Sequence, residues 1–308
     1  MQKNTKSLSE LNWNDVKFFL EVSRVRKATL AAKRLGVDYT TVSRRVQALE
    51  RSLNTLLFEK SKHAGFVLTE EGQTLLSHAE AIESMMLSAQ EQVSGGTTEL
   101  SGRIRIGCTE GFGNFFLAPK LSEFQTRYPM IGIDVLAVPH FVSLSKREAD
   151  LAITLERPTS GPYVSSRLCD YRLKLYATQD YLNAHEPIRC INDLHQHAFI
   201  TYVEDLVFSD QLHYLQHYLS SPSSPLCFTG VLGQYYSALA GHHLAILPCF
   251  IAAKDARLIE VLPQEVVVTN SFWISCRQEL RQLKRIRVLW DYLRELTEQQ
   301  QALLMGRA

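Results

Sequence analysis

The chain has 308 residues, 45% hydrophobic and 21% charged, with a formal net charge of +1. That length holds two or three domains with cores of their own, and the composition excludes a disordered or collagenous chain. No apolar run reaches transmembrane length and the N-terminus lacks a hydrophobic signal core. Six scattered cysteines without a CxxC fit a reduced, cytoplasmic setting, so neither membrane nor export is expected.

The neutral average hides an asymmetry. Residues 1–70 carry thirteen Lys/Arg against seven Asp/Glu, residues 71–99 carry five Glu and no Lys or Arg, and the rest is balanced. A basic first domain, an acidic connector and a neutral large domain suit a nucleic-acid reader with a separate sensor.

In chain order, Val16, Phe19 and Leu20 share one apolar stripe, which predicts a helix over residues 12–25. Residues 28–53 read as two helices joined by a tight turn at Gly36. Ala28, Ala31 and Ala32 on the first are small enough for close helix packing. On the second, Val42, Val46, Leu49 and Leu53 recur at spacings of four, three and four, a buried stripe. Asp38 stands at the N-cap, where its carboxylate is expected to accept a backbone N–H. Tyr39 and Thr41 follow, and Thr40, Ser43, Arg44 and Gln47 fall on the opposite, polar face. A helix-turn-helix of this form leads into the major groove with the N-terminal residues of its second helix; the alternative is an αα-hairpin with a solvated basic face. Leu57-Phe58 and Phe66-Val67-Leu68 predict a two-stranded wing, with Lys60, Lys62 and His63 at or near its tip and within reach of phosphates.

The words LAAKRLGV, TVSRRVQALE, LLFEK and LTEEG stand in one order and spacing, and with them the chain resembles the LysR-type transcriptional regulators. Tyr39-Thr40 replace the family's frequent Gln-Pro pair, and Arg26-Lys27 stand where a Ser or Gly often precedes the second helix. The resemblance therefore carries no base preferences. It implies an α plus α/β architecture: a winged helix-turn-helix over 1–70, a linker/dimerisation helix and hinge over 71–102, and a two-lobed, periplasmic-binding-protein-like effector domain over 103–308. Lobe I would take about 103–160 and 264–308, lobe II about 161–263. The implied partners are double-stranded promoter DNA, a small-molecule effector and further copies of the chain, as homodimer or homotetramer, with RNA polymerase an additional candidate. No cofactor is implied.

Thr69 is placed to cap a helix from residue 70 to about 93. Leu75, Ala79, Ile82, Met86, Ala89 and Val93 follow a heptad spacing, read here as a dimer seam in preference to packing on the same chain. Ser94-Gly95-Gly96-Thr97-Thr98 reads as a hinge.

From Arg103 onward short β-rich runs alternate with helical ones, including a predicted helix over 210–219, which implies α/β lobes with largely parallel sheets. Residues 104–114 read as a strand, a Gly-rich turn and a helix start. There Thr109, Glu110, Gly111, Phe112 and Asn114 are the first candidate effector contacts. Glu110 pointing into the cleft would favour an amine or polyol; pointing to solvent, it would leave a carboxylate effector open. The resemblance adds His140, Thr201, Tyr202 and Gln234 as further pocket walls. Ser143 and Lys146 match SxxK without its partner motifs, and His213 and His217 are better read as surface histidines than as a metal pair. No catalytic constellation is expected. The rival reading is a solute-binding or enzymatic α/β protein with an incidental helical N-terminus.

Overall fold

A computed structural model describes residues 12–61, 65–93, 100–140, 144, 148–219 and 223–307. The chain forms two compact units, Met1–Gln90 and Glu91–Ala308.

The first unit holds α1 (Trp13–Val25), α2 (Ala28–Leu35), α3 (Tyr39–Leu53), the hairpin β1 (Phe58–Ser61) and β2 (Gly65–Leu68), and all but the last three residues of α4 (Glu70–Val93). Its core is the one the apolar stripes mark: Phe19, Val22, Ala31, Val42 and Leu49 are fully buried together. Asn12 caps α1 through Oδ1, which accepts the Asn14 N–H at 2.9 Å. Gly36 ends α2 in the left-handed region at φ 65°. Asp38 differs from expectation. Its backbone is extended, as an N-cap requires, yet its carboxylate accepts no cap bond, and the N–H groups of Thr41 and Val42 go to its carbonyl.

The wing is tied down from two sides. Glu50 Oε1 accepts the N–H groups of Leu57 and Phe58, and Phe66 N–H donates to the Arg26 carbonyl at 2.9 Å. Gly65 permits this approach: its φ is 73°, and a Cβ there would lie 2.2 Å from that carbonyl oxygen. Thr69 then caps α4 as predicted, its Oγ1 accepting the Gly72 N–H at 3.0 Å.

The second unit carries β3 (Gly102–Thr109), α5 (Ala118–Arg127), β4 (Ile131–Val138), β5 (Leu151–Thr154), β6 (Tyr163–Thr178), α6 (Gln179–Ala184), β7 (Ala198–Tyr202) and β8 (Ser223–Phe228). It closes with α7 (Val231–Leu239), β9 (Leu244–Pro248), α8 (Cys249–Ala252), β10 (Leu258–Val261), β11 (Val267–Arg277), α9 (Lys284–Gln299) and α10 (Gln301–Leu304). One nine-stranded sheet runs through both lobes in the order β4-β3-β5-β11-β6-β9-β7-β8, with β10 beside β6. The outer strands of each lobe pair in parallel, β3 with β4 and β5, β7 with β8 and β9. The two long strands β6 and β11 pair antiparallel along their length and join the lobes. The C-terminal segment serves both lobes. Tyr292 on α9 donates to the Lys120 carbonyl of lobe I, and Gly306 lies against Cys249 and Lys174 of lobe II.

Two predicted elements differ. The Gly-rich turn after β3 is absent: Glu110 and Gly111 are already helical and lead into a π-helical stretch, Phe112–Leu117, continuous with α5. Residues 210–219 form short 3-10 turns, Asp210–Leu212 and Tyr214–His217, where one α-helix was expected. Leu212 and Leu215 are buried, and a spacing of three aligns side chains in a 3-10 turn as well as in an α-helix.

Candidate functional site

α3 presents the DNA-reading candidates. Val42, Val46 and Leu49 face the core, which turns Tyr39, Thr40, Arg44 and Gln47 outward; Thr41 and Ser43 are half-buried. The arginines of this unit divide by partner. Arg45 pairs with the buried Asp15 at 3.1 Å, Arg34 pairs with Glu21 at 3.0 Å, and Arg24 binds Glu83 through both nitrogens. Arg44 is exposed and has no ion pair among the described residues, so its five donors stay available to a ligand. Asp38, the N-cap residue of α3, is exposed. Lys60 is placed on β1 by its backbone, while Lys62 and His63 lie outside the described residues.

α4 corrects part of the dimer seam. Ala79 is 1% exposed inside the core of its own unit, and Leu75 packs against the same core. These two positions are spent within the chain, because the first turns of α4 roof the three-helix core. Ile82 is half-buried. Met86, 67% exposed, and Ala89 present the outer half of the stripe. The side chain of Val93 and the hinge at 94–98 lie outside the described residues.

The second unit has a cleft between its lobes at the carboxyl ends of β3 and β5, where ligands of open α/β sheets bind. Thr109, Glu110, Gly111 and Phe112 line it, His140 lines its outer part, and Tyr202 faces it from lobe II. Its two hollows measure about 50 and 40 Å³, room for water and little else. The lobes are held together across it. Glu110 reaches from lobe I to the N-terminus of α7, where its Oε2 accepts the Leu232 N–H at 3.2 Å. Gly230 makes the space, since a Cβ there would lie 2.0 Å from that oxygen. Gly111 permits the same closure, a Cβ there meeting Val231 Cγ1 at 2.6 Å. At the other side Ser209 donates to Glu156 Oε1 at 2.6 Å, and Gln211 Nε2 donates to the Leu155 carbonyl at 2.8 Å.

Three predicted contacts sit elsewhere. Asn114 is exposed on the helix and donates to the Glu110 carbonyl at 3.0 Å, because the missing turn rotates it away from the cleft. Gln234 is buried inside α7, and Thr201 lines a separate cavity within lobe II. Glu156, Phe208, Ser209 and Gly230 were missed. The one signal for Glu156 was its place just after β5; Ser209 lies in an irregular stretch that announces nothing. Cys108 also borders the cleft. Burial pushes its thiol, like those of Cys169 and Cys276, up to about 12, so these sulfurs are not thiolates at neutral pH.

Comparison with known proteins gives two family matches. Residues 13–73 match the bacterial regulatory helix-turn-helix protein, lysR family, and residues 97–298 match the LysR substrate binding domain. Among curated relatives, the HTH-type transcriptional activator TtdR of Escherichia coli K12 is 25% identical over 289 residues, 91% of each chain. The HTH-type transcriptional regulator PtxR of Pseudomonas aeruginosa is 25% identical over 264 residues, 83% of each. Among solved structures, a full-length OxyR variant from Pseudomonas aeruginosa superposes with TM-score 0.73 at 17% identity, covering 92% of this chain and 97% of that one. ArgP from Mycobacterium tuberculosis gives TM-score 0.68 at 18% identity, covering 93% and 97%. These two likenesses concern the fold.

Proposed function

The chain belongs to the LysR family of transcriptional regulators, with a helix-turn-helix DNA-binding domain and an effector-binding domain, and from this premise we propose how the two are used. α3 reads promoter DNA through Tyr39, Thr40, Arg44 and Gln47, with Asp38, Thr41 and Ser43 beside them and the wing at Lys60, Lys62 and His63 on phosphates. The protein works in the cytoplasm as a homodimer or homotetramer, joined in part by the outer stripe of α4. RNA polymerase is a further partner in this reading.

The effector enters the cleft between the lobes. The observation that carries this reading is the pair of carboxylates that span it: Glu110 on the α7 N-terminus and Glu156 on Ser209. A carboxylate at a helix N-terminus contributes about 0.3–1 kcal/mol, and a hydrogen bond to a charged group about 1.5–3. Together they hold the lobes closed by an amount that one small ligand's differential affinity exceeds. Among the described residues, the fixed charges lining the cleft are these two carboxylates. A third carboxylate would meet repulsion, so the effector is an amine or a polyol. Effector binding then replaces the carboxylate crossings, changes the lobe arrangement, and alters how the paired DNA-binding domains sit on the promoter.

Glu110→Ala tests the crossing. The Leu232 amide is expected to exchange with deuterium faster in the variant, and promoter output without added effector is expected to shift toward the effector-bound level. Unchanged exchange at Leu232 together with unchanged output would contradict the role given to Glu110.

A further inference from the structure

A cavity larger than the cleft hollows stands apart from the cleft. It lies within lobe II, between β7–β9 and the 3-10 segment, and measures about 380 Å³. That volume is in the range of small-molecule sites, whereas the cleft hollows, at about 50 and 40 Å³, are not. The 3-10 turns form one of its walls, with Leu212 and Leu215 stacked in one row.

The lining has two characters. Tyr202 and Val207, both half-buried, and the exposed Cys227 supply apolar and aromatic surface above the buried Phe199 and Tyr214, while Thr201, Glu204, His213 and Gln216 supply polar groups. Glu204 is the one acidic residue among the lining residues, which include no Lys or Arg, and it is exposed at the rim. We propose that this cavity is a second ligand site, separate from the inter-lobe cleft, that takes a small ring-bearing amine with its ring against Tyr202 and Val207 and its ammonium toward Glu204.

Tyr202 and Leu212 line both this cavity and the cleft. A ligand in lobe II therefore bears on a wall of the effector cleft. Any change it makes in effector affinity is matched by an equal change in its own affinity when effector is bound. The site stands on the geometry of lobe II alone and does not depend on how α3 reads DNA or on what occupies the cleft.

Equilibrium dialysis of the full chain against tyramine and against 4-hydroxyphenylacetate tests both site and class, since the two share a ring and differ in the sign of the tail. Tyramine is expected to saturate at one molecule per chain and to bind at least about tenfold more tightly than the acid. Glu204→Gln should erase most of that preference. Cys227→Phe, which fills the cavity from β8, should weaken tyramine at least about tenfold, while Thr109→Val, in the cleft, should bind it as wild type does. The exposed position of Glu204 keeps the test intact if the cavity-filling variant does not fold. Absence of saturable binding by either compound would overturn the site. Loss of tyramine binding in Thr109→Val with retention in Cys227→Phe would move the ligand to the cleft. Equal affinity for the two compounds would overturn the ligand class.

Discussion

Glu50 shows how one side chain fixes the relation between reading helix and wing. From α3 its Oε1 accepts two successive backbone N–H groups, those of Leu57 at 2.9 Å and Phe58 at 3.3 Å. Glu50→Ala leaves both donors without this acceptor and is expected to destabilise the first unit by about 1–3 kcal/mol. Chemical denaturation of the full chain followed by a probe in that unit checks this, and a loss below about 0.5 kcal/mol would show that water replaces the carboxylate. His197 makes the corresponding point in lobe II. It is buried, and its Nδ1 lies 2.8 Å from the Tyr181 hydroxyl. Burial, with help from the neighbouring His185, holds its imidazole below the ordinary histidine value, against weaker pulls upward from Asp193 and Glu186. The folded state thus favours neutral His197, and the unfolded state binds more protons below its ordinary value of about 6.5. Its stabilisation is present above that pH and is lost as pH falls through it. The melting temperature should drop between about pH 7.5 and 5.5, and His197→Gln should show a smaller drop; an identical drop in the variant would assign the dependence to other groups.

At the scale of elements, α4 uses one stripe for two purposes. Leu75 and Ala79 seal the core of their own unit, and Met86 and Ala89 continue the same stripe into solvent. A heptad spacing reports that a stripe is apolar and does not report who covers each turn, so the stripe was legible and the share of it that the chain's own core covers was not. Replacing Met86 and Ala89 together with Glu should disrupt self-association while leaving the core intact. Sedimentation equilibrium should show lighter species, and an unchanged mass would remove this stretch from the subunit contact. Other elements were legible because their signals are local. Gly36 in its turn, Thr69 in its cap and the Val42–Val46–Leu49 stripe each depend on neighbours within a few residues. The 3-10 segment at 210–217 was not, because Leu212 and Leu215 satisfy both helix periods. The contact of Glu156 with Ser209 joins residues 53 apart, and the contact of Glu110 with Leu232 joins residues 122 apart. No window of sequence contains either pair, so the cleft's first strand was legible and its closure was not.

At the scale of the whole molecule, a regulator of this family couples two tasks, reading DNA and sensing a ligand, and each unit carries the groups for one. The sensing unit is closed by carboxylate crossings of about one to a few kcal/mol, small enough for a metabolite to reverse. The reading unit spends Arg24, Arg34 and Arg45 on its own acids and leaves Arg44 exposed on α3. A bidentate arginine contact to a guanine edge contributes about 1–3 kcal/mol of discrimination, whereas a phosphate contact weakens binding to all sequences alike. The most direct test of the account is the affinity of wild-type and Arg44→Ala proteins for the DNA flanking the gene and for random DNA of equal length, at one fixed salt concentration. Wild type is expected to prefer the flanking DNA by about a thousandfold or more. Arg44→Ala is expected to lose about tenfold or more of that preference while keeping its affinity for random DNA. Equal binding of wild type to both DNAs, or an equal loss on both in the variant, would contradict the account.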